Sequence, residues 1–130
     1  MAIKYKVQQK AQPGVKGGGN RKYYATIVMD GEVTVDDLVK DIEKFSALSE
    51  ADIHGVIIAL ENVVQNKLAD SKIVRMDKLG TFYPTLKSEG KDKEEEVDAH
   101  CIKSINVNYR PGTRMLKTLK DAGAKKVSKK

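Results

Sequence analysis

The spacing of apolar side chains changes period several times along the 130 residues of this chain. Ile3, Tyr5 and Val7 alternate with Lys4 and Lys6, a period of two that predicts a half-exposed strand, and Tyr23 to Met29 predicts a second strand rich in β-formers. Pro13-Gly14-Val15-Lys16-Gly17-Gly18-Gly19-Asn20 separates them as a flexible connection, so the pair is expected to form a long-looped hairpin. Its glycines raise a phosphate-cradling loop as an alternative, but the P-loop spacing is absent and no helical pattern follows directly. A mobile loop is the expectation.

From Thr34 the period lengthens. Thr34 with Asp37 three residues on is a capping arrangement, and Leu38, Val39, Ile42 and Phe45 form a stripe of helical spacing. Ser46-Ala47-Leu48 interrupts it. Ser49 with Asp52 opens a second helix that is expected to run to about Leu68, with Ile53, Val56, Ile57, Leu60, Val63, Val64 and Leu68 on one face. At 100° per residue that set spans an arc of about 140°, while Ile58 falls outside it and hints at a second contact. His54 has no metal-ligating residue four positions on and reads as a surface residue.

Ile73 to Met76 returns to strand character, Asp77-Lys78 marks a turn, and Leu79 to Leu86 resumes a strand around Thr81, Phe82 and Tyr83. Lys87 to Ala99 is polar and charged, with Glu94-Glu95-Glu96 at its centre. Ser104 to Tyr109 then alternates Ile105, Val107 and Tyr109 with polar residues until Pro111-Gly112 ends the pattern. Thr113 caps a last helix on which Met115, Leu116, Leu119 and Ala122 are expected inside and Arg114, Lys117 and Lys120 outside. Lys125, Lys126, Lys129 and Lys130 follow as a tail without apolar anchors, expected to be disordered alone.

Charge sharpens this picture more by its distribution than by its total of +6. Residues 1–31 carry +5, 32–74 carry −5, 75–87 carry +2, 88–100 carry −4 and 101–130 carry +8. A basic start and a basic end around an acidic helical middle suit oriented binding to phosphate better than diffuse stickiness. The length fits one domain with an appended element, and 40% apolar residues support a modest core that leaves a role for a partner subunit. No apolar run approaches the roughly 18 residues of a membrane span, and residues 1–10 contain no secretory pattern, so the expected location is the cytoplasm. Cys101 stands alone, which excludes an internal disulfide framework and fits a reducing compartment. His100-Cys101 is the one adjacent nucleophile-like pair and lacks an orienting third residue. No catalytic residue, metal, cofactor or small-molecule substrate is expected.

Helix, turn, longer helix, a two-stranded turn through Leu79-Gly80-Thr81-Phe82, a charged excursion, a return strand and the helix after Tyr109-Arg110-Pro111-Gly112 occur here in order. In that combination the chain resembles the bacterial histone-like HU/integration host factor family. The likeness is best from Val35 to Phe82 and resumes from Tyr109 through Leu119-Lys120-Asp121-Ala122, covering about half the chain. It implies an α+β fold: an intertwined dimer with a two-helix base, an antiparallel sheet carrying an arm, and a C-terminal helix. Phe45, Ile57, Leu60, Val64, Leu79 and Phe82 fall to the dimer core. The implied organisation is a strand-loop-strand extension over 1–31, an HU/IHF-like domain over 32–122 with an arm excursion at 87–104, and a basic tail over 123–130.

The implied partners are double-stranded DNA and a second copy of the chain, in a bacterial nucleoid. The implied role is architectural: dimeric, largely sequence-independent backbone binding with possible bending, the property of nucleoid-associated proteins that condense DNA. Lys87 matches a basic position at the arm base, Arg110 the cation before Pro-Gly, and Arg114 and Lys117 the cations of the last helix. Lys103, Lys120, Lys125 and Lys126 complete the expected DNA-binding set. Two departures stand out. Where the family's arm tip carries Arg-Asn-Pro, this chain has Lys91-Asp92-Lys93-Glu94-Glu95-Glu96 without proline, and the first 30 or so residues match only extended HU-like proteins. The acidic excursion without proline favours the rival reading, a protein-interaction or scaffold module on the same fold with weak or no DNA binding; RNA is a lesser variant.

Overall fold

The computed structural model describes residues 1–127. It divides into two compact units, Met1–Glu32 with the chain from Leu116 onward, and Val33–Met115.

In the first unit, β1 (Ile3–Lys10) and β2 (Lys22–Ile27) pair as the antiparallel hairpin, with Tyr5 opposite Ile27 and Lys10 opposite Lys22. On the other edge of β1 lies β6 (Ala124–Lys126), parallel to it, giving the order β2-β1-β6. The expected disordered tail is therefore corrected for residues 124–126, whereas Lys129 and Lys130 lie outside the described residues. The reason is backbone pairing, which needs no apolar anchor: Ile3 N–H donates to the Gly123 carbonyl at 2.8 Å and Val127 N–H to the Tyr5 carbonyl at 2.9 Å. Gly123, at φ +69°, turns the chain out of the preceding helix α3 (Thr113–Ala122) and into that strand. On α3, Leu116 and Leu119 remain exposed rather than facing inward as expected, while Met115 and Ala122 are half-buried.

The second unit holds α1 (Val35–Glu43), α2 (Glu50–Ala69) and an antiparallel sheet of β3 (Val74–Met76), β4 (Gly80–Ser88) and β5 (Ile102–Pro111). Thr34 and Asp37 form a full capping box: Asp37 N–H donates to the Thr34 hydroxyl oxygen at 3.3 Å, and Thr34 N–H to the Asp37 carboxylate at 3.0 Å. At Ser49 only the forward bond forms, from Asp52 N–H at 3.2 Å. The two helices pack together with Val39 and Ile53 buried, and α2 lies against β3 and β4.

The single apolar face expected on α2 splits in two. Ile53, Ile57, Val64 and Leu68, within about 60° of helical arc, are buried or half-buried, whereas Val56, Leu60 and Val63 occupy the adjoining arc of about 60° and are exposed. Ile58 is exposed as well.

The two sequence phrases around glycine meet in space. Met76 pairs with Gly80 across the turn, and Gly80 pairs with Pro111 on β5. A Cβ on Gly80 would stand 2.3 Å from the Arg110 carbonyl oxygen, and its φ is +131°; a Cβ on Gly112 would stand 2.8 Å from the Lys78 carbonyl oxygen. Two glycines thus let the β3–β4 turn and the end of β5 close on each other. Tyr109 locks the junction, its hydroxyl donating to the Leu79 carbonyl and its ring tilted against Phe82 at 5.1 Å between centroids.

The excursion is shorter than the expected 87–104, because β4 continues to Ser88 and β5 starts at Ile102. Residues 89–101 fold back on themselves through two short 3-10 turns, Glu94–Glu96 and Ala99–Cys101. Glu89 N–H donates to the Cys101 carbonyl at 2.8 Å, and Cys101 is buried with its sulfur 3.6 Å from the Glu96 carbonyl oxygen. The hairpin therefore ends in a compact acidic tip.

Candidate nucleic-acid interface

Side chains directly opposed across an antiparallel pair share a face, and alternate residues switch faces. The register of β3-β4-β5 thus sorts its residues into two sets. Arg75, Thr81 and Arg110 form one row; Tyr83 with Asn108, Thr85 with Asn106, and Lys87 with Ser104 follow along the same face. The other face receives Val74, Phe82 and Tyr109, then Pro84 with Val107 and Leu86 with Ile105. Arg75 is exposed between half-buried Val74 and Met76, so the polar set is the open one at β3.

Arginine, lysine, amide and hydroxyl groups fill the polar face, and no carboxylate belongs to it. The Arg110 guanidinium carbon stands 5.6 Å over the Tyr83 ring, a cation–π contact that orients one edge of the fork. From Arg110 to Ser104 the strand covers about 20 Å, comparable with the axial rise of about six base pairs of a duplex. Such a surface offers hydrogen-bond donors and positive charge to a run of phosphates.

Of the residues expected to bind DNA, Lys87 and Arg110 share this face. Lys103 is the extra residue of a bulge at Lys87/Ser88, left over between the pairs Lys87–Ser104 and Ser88–Ile102. Arg114 is exposed in the first turn of α3, and Lys117 pairs with Asp121 at 3.1 Å, an offset the every-third-residue pattern did not reveal. Lys117, Lys120, Lys125 and Lys126 belong to the first unit. Lys125 stands opposite Lys4 and Lys126 opposite Tyr5, so these neighbours point to opposite faces of their sheet. The face also carries Arg75, Tyr83, Asn106 and Asn108, which lie outside the expected DNA-binding set. Asn106 and Asn108 are the polar beats of the Ile105-Val107-Tyr109 alternation, and Arg75 the polar beat between Val74 and Met76, so the signal was present.

His54 is half-buried, with Nδ1 3.7 Å from an Asp36 carboxylate oxygen. No cluster of metal-ligating side chains occurs among the described residues, nor is any described helix long and apolar enough to cross a membrane.

Residues 1–126 match the model of the HU-HIG family, an HU domain fused to a winged helix-turn-helix, Ig or glycine-rich motif. This chain belongs to the HU-HIG family. The likeness to HU proteins drawn from Leu79-Gly80-Thr81-Phe82 and Tyr109-Arg110-Pro111-Gly112 is borne out, and the match extends across the first 30 residues. A solved structure from Bacteroides vulgatus ATCC 8482, provisionally described as a bacterial DNA-binding protein, superposes on this HU-HIG chain with a TM-score of 0.70 at 15% identity. The alignment covers 99% of this chain and 50% of that one, so the HU-HIG chain spans about half the length of its structural neighbour. At such identity the likeness speaks for the fold alone. No curated protein matches the sequence.

Proposed function

We propose that this HU-HIG chain is a dimeric architectural DNA-binding protein whose β3-β4-β5 polar face lies along duplex backbone. The observation that carries the reading is the carboxylate-free ladder from Arg75, Thr81 and Arg110 to Lys87 and Ser104. Such contacts fix position without reading sequence, so binding is sequence-tolerant. The tip lacks a proline wedge and is acidic, so the duplex is held without the sharp kink that intercalation produces. A nucleoid location follows from this role.

Dimerisation is supported by how little one chain buries. Val39, Ile53 and Cys101 are its buried apolar residues among those described, while Phe45 is 88% exposed, Val56 61% and Val63 52%. An open apolar arc on α2 beside one already covered is the pattern of a helix shared between two subunits. Of the expected dimer core, Phe45, Leu60 and Leu79 are exposed and Ile57, Val64 and Phe82 half-buried, available to a second copy.

The test is duplex binding measured between about 50 and 200 mM salt, since each neutralised phosphate contributes about 0.9 to the slope of log K against log salt. Replacing Arg75 and Arg110 with Gln removes four contacts per dimer and lowers the slope by about 3.6. A chain that fails to bind duplex at the lowest salt rejects the proposal. The compact acidic tip favours one rival, a protein-docking module. In that case the Arg75/Arg110 variant would leave duplex binding unchanged.

A further inference from the structure

The basic character of this protein does not reside in its HU-like body. Val33–Met115 carries twelve Lys and Arg against fifteen Asp and Glu, a net −3, whereas Met1–Glu32 with the chain from Leu116 onward carries twelve against three, a net +9. Register concentrates that charge. In β2-β1-β6, Lys10 stands directly opposite Lys22 and Lys4 directly opposite Lys125, with Lys6 between them on the same face. The remaining positions on that face are Gln8, Tyr24, Thr26 and Val28, the last placed opposite Lys4 by its hydrogen bond.

Folding alone disfavours this arrangement, because like charges directly opposed across a sheet repel. Only Lys4 has an acidic partner, Asp30; Lys6, Lys10, Lys22 and Lys125 are exposed and enter no ion pair among the described residues. Two opposed lysine pairs on one face are relieved when a polyanion lies across them. Lys4 to Lys10 covers about 20 Å, roughly the axial rise of six base pairs of a duplex. Every cation there is a lysine, a point charge suited to backbone phosphate rather than to forked recognition of a base edge. Apart from half-buried Val28 the face presents no aliphatic side chain, so it has little to insert into a lipid surface.

We infer that the lysine face of β2-β1-β6 is a second duplex-binding surface, engaging backbone phosphates independently of the β3-β4-β5 polar face. It shares with the proposed function the premise that duplex DNA is the partner, and it assigns a role to residues 1–31. The full chain then holds DNA through two phosphate-binding surfaces.

The experiment compares the full-length chain with a Lys6→Gln, Lys10→Gln, Lys22→Gln and Lys125→Gln variant in duplex binding across a salt series, with thermal melts to confirm folding. The expected result is a slope smaller by about 3.6 per chain. An unchanged slope, with the wild type binding duplex, overturns the inference. Should the fourfold variant fail to fold, Lys10→Gln with Lys22→Gln alone serves, with an expected loss of about 1.8 per chain. The Arg75→Gln, Arg110→Gln variant separates the two proposals. If it alone loses slope, only the lysine face is rejected, and if the lysine variant alone does, only the polar face is. A wild-type chain that ignores duplex rejects both. Vesicles of anionic phospholipid provide the last arm: binding to them as tight as to duplex, and lost with the four lysines, overturns the assignment of DNA as ligand.

Discussion

Phe45 gives the sharpest test of the dimer. It follows the end of α1 and is 88% exposed in the single chain. Were the protein monomeric, Phe45→Ala would change stability by no more than about 0.5 kcal/mol, as at other surface positions. In the proposed dimer the ring would be covered, and burying a Phe side chain contributes about 2.5 kcal/mol. Scaled by the exposed fraction, that is about 2 kcal/mol per protomer and about 4 kcal/mol for two, or roughly a thousandfold in the dissociation constant. Sedimentation equilibrium over a range of protein concentration reads the constant directly, and circular dichroism checks that the helices persist. A well-folded variant whose dissociation constant stays within a few-fold of wild type would refute the reasoning, as would a wild type that remains monomeric at about 100 μM, where a stable dimer must be populated.

Other consequences are local. Gly80→Ala places a methyl group 2.3 Å from the Arg110 carbonyl oxygen at a φ of +131°, so the melting temperature should drop and duplex affinity fall with it; a variant as stable as wild type contradicts the junction described. Thr34→Ala removes the α1 cap and should cost about 1 kcal/mol in chemical denaturation, with a loss below 0.3 kcal/mol counting against it. Hydrogen bonds from the Thr34 N–H and hydroxyl hold the Asp37 carboxyl below its usual value of 3.8, so their stabilisation is full above that pH and is lost as pH falls through the lowered value. Thr34→Ala keeps the N–H bond and loses the hydroxyl one, so the part of the wild-type advantage that comes from the hydroxyl bond to the carboxylate should shrink in melts below about pH 3.8, and an advantage constant with pH would refute the link. Glu43 behaves oppositely: its hydrogen bond with the Glu50 carboxyl raises it above 4.5, so ionisation costs stability as pH climbs past that value. Glu43→Gln should raise the melting temperature near pH 7 and leave it unchanged near pH 3, and equal shifts at both would exclude the carboxyl pair as the cause.

Local chemistry made most of the elements legible. Period-two alternation located β1 and β5, β-former content located β2, and Thr34 with Asp37 announced α1 because a cap is written within four residues. What escaped depends on pairing between segments distant in the chain. The strand at residues 124–126 has no apolar rhythm of its own and exists because β1 offers an unpaired edge, so Ala124-Lys125-Lys126 read as a tail. Arg75 is a visible polar beat in the sequence, but its place in one row with Arg110 depends on Thr81 standing between them. The apolar arc of α2 was visible, but its division into covered and open halves is a property of what packs against it.

The same distinction applies to the charge blocks. Summed along the sequence, the basic ends seemed to serve one patch that included Arg110, Lys117 and Lys125 alike. The units divide them: Arg110 belongs to a sheet whose surrounding body is net negative, and Lys125 to one opposed by further lysines. On the β3-β4-β5 face, the few cations are spaced by Thr, Asn and Ser, so in the proposed complex hydrogen-bond donors would share the work of holding phosphate. On the β2-β1-β6 face, charge alone must do it, and a purely coulombic contact weakens more steeply with salt for the same affinity. If both faces engage DNA, raising the salt should release the lysine face first and leave a residual complex held by Arg75, Arg110 and their neutral neighbours. Footprints that shorten with salt before the protein dissociates would display that order; a footprint of constant length up to dissociation would mean that the two faces do not act separately.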